Sequence, residues 1–229
     1  MIDAVSHPPI KSFVRRMGRK TLAQQEALEH LWPHYGWSAT DLAAPFASDR
    51  PLTVEIGFGD GECLTQLAHR HPERFYVGFE VHDPGVGHAL LEIKRLALTN
   101  VRLIKDDAQA ILAAHWPPSS IDEVLIYFPD PWHKSRHHKR RLVQPPFLER
   151  LASLLKPHGL VRLATDWPDY AHAMVYAFQQ VPVFENLAPS GDFIPRPDER
   201  PLTKFERRGL RLGQPAWDLC YRKRLATNP

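Results

Sequence analysis

The sequence has few cysteines, no long apolar run and almost no net charge. Its 229 residues include only Cys63 and Cys220, too few for a disulfide framework or a four-cysteine zinc site, which favours a reducing compartment. Apolar runs such as residues 124–128 are far shorter than the roughly 20 residues that cross a bilayer. The basic N-terminus also lacks the apolar block of a secretory signal. We therefore expect a soluble, cytoplasmic protein that does not associate with membranes.

The low net charge limits what can be inferred about nucleic acids. The 29 Lys and Arg residues minus 26 Asp and Glu residues give +3, so an RNA-binding argument must rest on where basic residues cluster. Hydrophobic residues make up 43% of the chain, enough to bury a core. The length allows one domain of ordinary size, with at most a short appendage.

Short apolar segments alternate with helical patterns from Pro51 onward. The predicted strands are 52–56, 75–80, 101–104, 124–128 and 160–165, and the predicted helices are 62–69, 84–98, 107–114, 146–155 and 168–180. Such alternation is typical of a doubly wound α/β fold with a mostly parallel sheet. After residue 183 we expect a proline-rich loop and a last strand at 217–222. This predicts a domain over 51–229.

Residues 1–50 are predicted to form a basic arm and a helix. The arm, residues 1–20, is aperiodic. Thr21 and Gln24 fit a capping box at the helix start, and residues 22, 28, 31 and 32 can share one face. Loop-like sequence follows to Arg50.

A glycine-rich segment follows the first predicted strand. Gly57, Gly59 and Gly61 allow a sharp turn and a close approach of a ligand to the backbone. A plain tight turn is the alternative. A dinucleotide fingerprint would need glycine at position 62, and Asp60 and Glu62 instead place negative charge where a pyrophosphate would bind. The ligand at this contact is therefore expected to lack phosphate.

Three acids lie where strands of such a sheet end. Glu55 is on the first strand, Glu80 ends the second, and Asp107 follows the third. Helix capping is the alternative for each acid, above all for Asp107. Together they suit S-adenosylmethionine, which carries a sulfonium, an ammonium and ribose hydroxyls but no phosphate.

The fourth predicted strand leads into a distinctive segment. Pro129 and Pro131 flank Asp130 and restrict its backbone, and Trp132 precedes a basic run. A solvated charged face is the usual explanation of such a run, but an aromatic ring beside cations also suits a stacked base with neutralised phosphates. The candidate phosphate ligands are Arg136, Lys139, Arg140 and Arg141. Three histidines accompany them, but no second ligand cluster has metal-site spacing, so no metal is expected.

At this point the sequence closely resembles the tRNA (guanine-N7-)-methyltransferase family. The resemblance rests above all on residues 126–141, Ile-Tyr-Phe-Pro-Asp-Pro-Trp-His-Lys-Ser-Arg-His-His-Lys-Arg-Arg. Shorter matches are Glu-Ile-Gly-Phe-Gly at 55–59, Phe-Glu-Val-His at 79–82, Thr-Asp-Trp at 165–167 and Thr-Lys-Phe-Glu at 203–206. They run in order from about residue 52 to 223. Asp60 and Asp83 depart from the usual family residues.

The resemblance implies a Rossmann-like fold and transfer of a methyl group from S-adenosyl-L-methionine to N7 of guanosine 46, in the variable loop of tRNA. It implies cofactor contacts at Glu55, Gly57, Gly59, Glu80, Asp107 and Asp130, and places catalysis at Asp130. The implied substrate contacts are Lys134, Asp166, Thr203, Lys204, Phe205 and Glu206. It does not distinguish a monomer from a homodimer.

Chemistry and local pattern leave several alternatives open. Guanine N7 needs no proton removed, so Asp130 is expected to orient the reactants and stabilise developing positive charge. Asp166 and Glu206 can accept the two donors on the Watson-Crick edge of guanine, but Asp166 also fits a helix N-cap and Thr203 with Glu206 a capping box. Other readings are a methyltransferase for exocyclic amines, a silent RNA-binding subunit and, less well matched, a nicotinamide oxidoreductase.

Overall fold

A computed structural model describes residues 11–14, 18–38, 41 and 49–225, without the side chains of Lys204, Phe205 and Arg208. The predicted basic arm therefore lies largely outside the described residues. Within those ranges, no helix combines the length and apolar character needed to span a bilayer.

Seven strands of the described chain form one sheet. They are β1 (Leu52–Ile56), β2 (Phe75–Phe79), β3 (Val101–Ile104), β4 (Ile121–Tyr127), β5 (Leu155–Thr165), β6 (Phe184–Asn186) and β7 (Trp217–Lys223). Their order across the sheet is β3-β2-β1-β4-β5-β7-β6. The first five strands run parallel, while β7 is antiparallel to both β5 and β6. This confirms the predicted α/β fold with a mostly parallel sheet.

Eight α-helices accompany the sheet in the described part of the chain. They are α1 (Leu22–His30), α2 (Trp32–Tyr35), α3 (Glu62–Arg70), α4 (Asp83–Arg95), α5 (Ala108–Ala114), α6 (Pro145–Leu154), α7 (Pro168–Gln179) and α8 (Lys204–Arg211). A 3-10 helix covers Ser135–Arg140. Buried residues of the sheet and helices form two apolar clusters, one centred on β1, β4 and β5 and the other on α3 and α4.

The structure corrects several local predictions. The Thr21 and Gln24 capping box is present, but Leu22 is 73% exposed and does not share the buried face. A short helix, α2, lies in the segment predicted as loop. The proline-rich region contains β6 and α8, and β5 begins at Leu155, not at residue 160.

The N-terminal helices pack directly on the domain. Ala27 of α1 is buried in the cluster that contains Val86 and Leu90 of α4. Beyond α2, Gly36 forms a parallel bridge with Leu103, and the Trp37 N–H donates to the Leu103 carbonyl at 2.8 Å. Residues 36 and 37 therefore cover the outer edge of β3.

Parallel pairing brings the functional residues to one end of the sheet. Ile56 is in register with Phe79, and Phe79 with Ile104, so β1, β2 and β3 end side by side. The loops that follow these strands, together with the loop after β4, surround the crevice where ligands of open α/β sheets bind.

Candidate active site

The glycine loop after β1 depends on left-handed backbone at three positions. Gly57, Gly59 and Gly61 have φ angles of 75°, 60° and 79°, which side chains other than glycine rarely adopt. The Gly59 N–H donates to Glu80 Oε2 at 2.9 Å. The loop is thus fixed both by its own conformation and by the acid at the end of β2.

A cavity of about 280 Å³ opens at this edge of the sheet, and we call it the first cavity. It brings together five residues that the sequence analysis singled out. Its lining includes Gly57, Gly59, Glu80, Asp107, Asp130, Ser12, Phe13, Val81, Gln109 and Phe128.

Two of the predicted acids are held by backbone donors. Glu80 Oε1 accepts from the N–H groups of Val81 at 2.7 Å and His82 at 3.0 Å. Asp107 is the N-cap of α5, and its Oδ1 accepts from the Gln109 N–H at 3.1 Å. The capping role of Asp107 is therefore confirmed. Because a carboxylate oxygen has more than one acceptor site, capping leaves room for a ligand donor.

A second cavity, of about 360 Å³, adjoins the first. The two share Gly57, Gly59 and Phe128. The remaining residues of the second cavity are Glu55, Phe58, Asp60, Glu62, Cys63, Tyr127 and Thr203. With three carboxylic acids in its lining, this cavity suits a cationic ligand group.

Glu55 is the most unusual acid of the site. Its side chain is buried, and in the described part of the chain its Oε2 atom has no hydrogen-bond partner. Burial, together with the nearby charges of Asp60 and Glu80, raises the pKa of Glu55 to about 8, and a hydrogen bond from Cys63 partly opposes this rise. A buried acceptor left without a donor is costly, so the second cavity is arranged to receive a donor or a cation.

In the loop after β4, the residues on either side of the Pro-Asp-Pro segment that contains Asp130 have strained backbone. Phe128 and Trp132, on either side of the two prolines, have φ angles of 52° and 49°. Left-handed backbone costs a residue other than glycine on the order of 1–3 kcal/mol and persists only where surrounding contacts enforce it. The exposed Asp130 side chain is thereby presented to the first cavity.

An N-terminal segment completes the wall of the first cavity. The Trp132 Nε1–H donates to the Ser12 carbonyl at 3.1 Å, and Gln109 Nε2 donates to Ser12 Oγ at 3.1 Å. Arg140 lies 4.5 Å from the centre of the Trp132 ring. Trp132 therefore contacts protein groups, and stacking of a base on its half-buried ring stays a prediction.

The basic run divides into exposed and structural residues. Lys134, Arg136 and Lys139 are exposed on the 3-10 helix and at its start. Arg141, in contrast, is 6% exposed. Its guanidinium donates to the Pro131 carbonyl and to Asp169. The predicted phosphate contact at Arg141 is therefore wrong, because the charge is buried and already paired.

The predicted guanine acceptors have different surroundings. Asp166 is half-buried beyond β5, and the N-cap of α7 is Trp167, so the alternative capping role of Asp166 is wrong. Thr203 caps α8 by accepting from the Glu206 N–H at 3.3 Å. Only this half of the expected capping box is observed.

The Glu206 carboxylate is already bound within the protein. It is buried, and each of its oxygens accepts from Arg200 at 2.7 Å. This arrangement does not support direct reading of guanine by Glu206, because a base edge would have to compete with a bidentate ion pair. Arg200 was not predicted from the sequence, because no local pattern distinguishes it from other loop arginines.

The remaining predicted positions are less informative. The side chains of Lys204 and Phe205 lie outside the described residues. Lys134 and Asp166 line neither cavity. Among the described residues, no three potential metal ligands are grouped so that they could hold an ion.

Comparison with known proteins gives consistent matches. A family model described as "Putative methyltransferase" matches residues 49–219. The tRNA (guanine-N(7)-)-methyltransferase of Alkalilimnicola ehrlichii is 51% identical over 227 residues, which cover 96% of this chain and 95% of the relative. The enzyme of the same name from Methylococcus capsulatus is 49% identical over 221 residues, covering 94% and 96%.

Solved structures share the fold at low sequence identity. The 16S rRNA methyltransferase KamB superposes with a TM-score of 0.60 at 15% identity, covering 82% of this chain and 95% of that one. A 16S rRNA (adenine(1408)-N(1))-methyltransferase from Catenulisporales acidiphilia, determined with its cosubstrate SAM, gives 0.55 at 17% identity, covering 84% and 94%. Both are Rossmann-like methyltransferases, and at this identity the likeness shows the fold alone.

Proposed function

The chain belongs to the tRNA (guanine-N(7)-)-methyltransferase family, and we propose that its target is the guanosine at position 46, in the variable loop of tRNA. Family membership makes it an S-adenosyl-L-methionine-dependent enzyme that methylates N7 of guanine in tRNA. The target position and the cytoplasmic location go beyond that membership and stay predictions.

The residues present fit the cofactor. The observation that carries this fit is the buried Glu55 Oε2 atom, which has no hydrogen-bond partner in the described chain and belongs to a residue that lines the second cavity. A bound ammonium or sulfonium would favour the ionised form of Glu55 and pair with it, whereas a phosphate would be repelled by the other acids of this cavity, Asp60 and Glu62. The alternative of a nicotinamide oxidoreductase is disfavoured for this reason.

We assign the cofactor contacts by position. Glu55, Gly57 and Gly59 would hold the charged end of the cofactor. Glu80 and Asp107 line the first cavity, and their carboxylate oxygens have acceptor sites left for the ribose hydroxyls. Bound there, S-adenosyl-L-methionine supplies a methyl group already activated by the positive sulfur. The protein's task is then to orient guanine and to keep water out of the crevice.

Asp130 is proposed as the catalytic residue. Guanine N7 has an unshared electron pair and no proton, so the reaction requires no general base. The imidazole ring of guanine becomes positive as the new bond forms, and a carboxylate fixed between two prolines stabilises that charge without reorganisation. Asp166, directly after β5, the strand next to β4, is the remaining candidate for accepting the guanine N1–H and exocyclic amine.

The exposed basic residues are proposed to bind tRNA phosphates. Lys134, Arg136 and Lys139 lie exposed at the 3-10 helix, directly after the loop that carries Asp130, and Arg140 lies half-buried there. Their position places positive charge along the rim of the crevice, where backbone phosphates would fix the register of the target nucleotide.

The test is nucleoside analysis of tRNA incubated with the purified chain and methyl-labelled cofactor. We expect label in N7-methylguanosine, located at position 46 by cleavage with mild reduction and aniline. Label in an N6-methyl base would instead identify an amine methyltransferase, and no incorporation would favour a silent RNA-binding subunit. A tRNA with adenosine in place of guanosine 46 is the matched control.

A further inference from the structure

We propose that Arg200 is a positioning residue for methyl transfer. It fixes the start of α8 beside the second cavity by binding Glu206, so that Glu206 acts through Arg200 and not on the guanine edge. This inference rests on the proposed function and deepens it.

Arg200 binds two carboxylates from different elements. It is 2% exposed. It donates to Glu206 of α8 through Nη1 and Nη2, both at 2.7 Å, and to Asp218 of β7 through Nε at 2.7 Å and Nη2 at 3.0 Å. Buried charges persist only where they are paired and hydrogen-bonded. The guanidinium therefore locks α8 onto the sheet.

The same guanidinium lies against the catalytic loop. Its central carbon is 5.7 Å from the centre of the Tyr127 ring and 5.6 Å from that of Phe128. Phe128 is the left-handed residue that opens the Phe-Pro-Asp-Pro-Trp loop. Strained backbone requires support from its surroundings. The Arg200 guanidinium, packed against the Phe128 ring, therefore helps to fix the position of Asp130.

The connection to the second cavity runs through Thr203. This residue lines the cavity and caps α8 by accepting from the N–H of Glu206. A shift of Glu206 would therefore move Thr203 as well. A second contact, Arg207 Nη2 to Glu62 Oε1 at 3.0 Å, joins α8 to the start of α3, where Glu62 lines the same cavity.

The Glu206 carboxylate has few hydrogen-bond acceptor sites left for a guanine ring. Besides the two bonds from Arg200, its Oε1 accepts from Arg196 Nε at 3.1 Å. The residue is 4% exposed. To bind guanine directly, Glu206 would have to become exposed and break its ion pair with Arg200. A positioning role requires neither change.

The experiment compares Arg200→Lys, Glu206→Gln and the double variant. The measurements are the single-turnover methylation rate on tRNA, the Kd for S-adenosyl-L-methionine, and thermal unfolding. Glu123→Gln is the matched control, since Glu123 pairs with Arg74 at 3.2 Å and Arg162 at 2.6 Å near the amino end of β4, away from the site.

We expect Arg200→Lys to lower the single-turnover rate about 100-fold, the scale of loss that follows a misplacement of about 1 Å. The cofactor Kd should change by less than about tenfold, well below the loss in rate, because Arg200 itself lines neither cavity and reaches the second one only through Thr203. The single-turnover rate of the double variant should be no lower than that of Arg200→Lys alone, since the effects of residues that act as one unit are not additive. Glu123→Gln should lower the melting temperature and leave the rate unchanged.

Inosine in place of the target guanosine keeps the proposal testable should Arg200→Lys fail to fold. Inosine lacks the exocyclic amine, so direct reading predicts that Glu206→Gln changes the ratio of rates on guanosine and inosine. Positioning predicts an unchanged ratio at a lower rate. A changed ratio, additive losses in the double variant, or equal effects of Arg200→Lys and Glu123→Gln would overturn the proposal. Absence of N7-methylguanosine with the unaltered chain would instead refute the proposed function.

Discussion

The Glu55 carboxyl couples the stability of the protein to pH. Its pKa is raised from 4.5 to about 8, by burial first and then by Asp60 and Glu80. Between these values the unfolded chain has lost the proton that the folded chain retains. The free energy of unfolding therefore falls as pH rises through this window, by up to about 1.4 kcal/mol per pH unit from this residue. Glu55→Gln should remove that dependence, as measured by chemical denaturation at pH 5, 6, 7 and 8. A slope that Glu55→Gln does not change would contradict the assignment.

The same residue predicts proton release on cofactor binding. A cationic group that binds the ionised carboxylate lowers the pKa of Glu55, so at pH 6.5 binding of S-adenosyl-L-methionine should release about one proton. Calorimetry in two buffers with different ionisation enthalpies measures this number. Glu55→Gln is the control and should release none. Equal proton release by both proteins would assign it to another group.

Asp130 is expected to affect the chemical step more than cofactor binding. A carboxylate about 4 Å from the developing charge contributes on the order of 4 kcal/mol at an effective dielectric of 20, and exposure to solvent reduces this. Asp130→Asn should therefore lower the single-turnover rate by about 100-fold or more, with a small change in the cofactor Kd. Equal losses in rate and affinity would identify Asp130 as a cofactor ligand.

The sequence revealed the acids of the site because each lies at a predictable place. Glu80 and Asp107 follow strands, and Asp130 is marked by two prolines. Arg200 could not be found in this way, since its importance comes from Glu206 and Asp218, which meet it only after folding. The same reason explains the error at Arg141, whose partner Asp169 lies 28 residues further along the chain.

At the scale of elements, the packing of α4 against the glycine loop determines the shape of the first cavity. A Cβ atom on Gly85 would lie 2.1 Å from the Gly59 carbonyl oxygen. We therefore expect Gly85→Ala to displace the glycine loop and weaken cofactor binding, which equilibrium titration measures.

The matched control for this prediction lies on the same helix. A Cβ on Gly87 would meet Gln24 of α1 at 2.9 Å and not the loop. Gly87→Ala should therefore lower the melting temperature while the cofactor Kd stays close to that of the unaltered chain. If the two substitutions weaken the cofactor equally, the loop contact is not responsible.

The boundaries of helices and strands were predictable where the spacing of apolar residues in the sequence matches the burial in the structure. The limits of β1 and β3 were predicted without error, because each is a short, mostly buried run between turns. β6 was missed because three residues carry too little pattern. α8 was missed because its sequence is short and rich in basic residues, although Thr203 and Glu206 marked where it starts.

At the scale of the whole molecule, the exposed cations should govern the salt dependence of tRNA binding. Each neutralised phosphate adds roughly 0.7–0.9 to the slope of log affinity against log salt. Lys139→Ala should reduce the slope by about that amount and leave thermal stability unchanged. Binding titrations between low and moderate salt measure it.

Arg141→Ala provides the contrast. Its guanidinium is buried and paired with Asp169, so we expect a lower melting temperature and an unchanged salt slope. A slope that falls in Arg141→Ala but not in Lys139→Ala would show that the structural and phosphate-binding residues are wrongly separated.

The overall architecture followed from sequence because it repeats one local pattern along the chain. Contacts between distant segments could not be predicted from the sequence. The bond from Trp132 to the Ser12 carbonyl joins residues 120 positions apart, and neither residue carries a local signal for it.

The covering of β3 by Gly36 and Trp37 has a practical consequence for shortened versions of this protein. A chain trimmed to start at residue 49 would expose the unpaired backbone of β3 and the apolar face of α4 that α1 covers. Two such molecules could then join edge to edge, the usual route to insoluble aggregates. Recombinant versions intended for crystallisation should keep the segment that carries α1, α2 and Trp37.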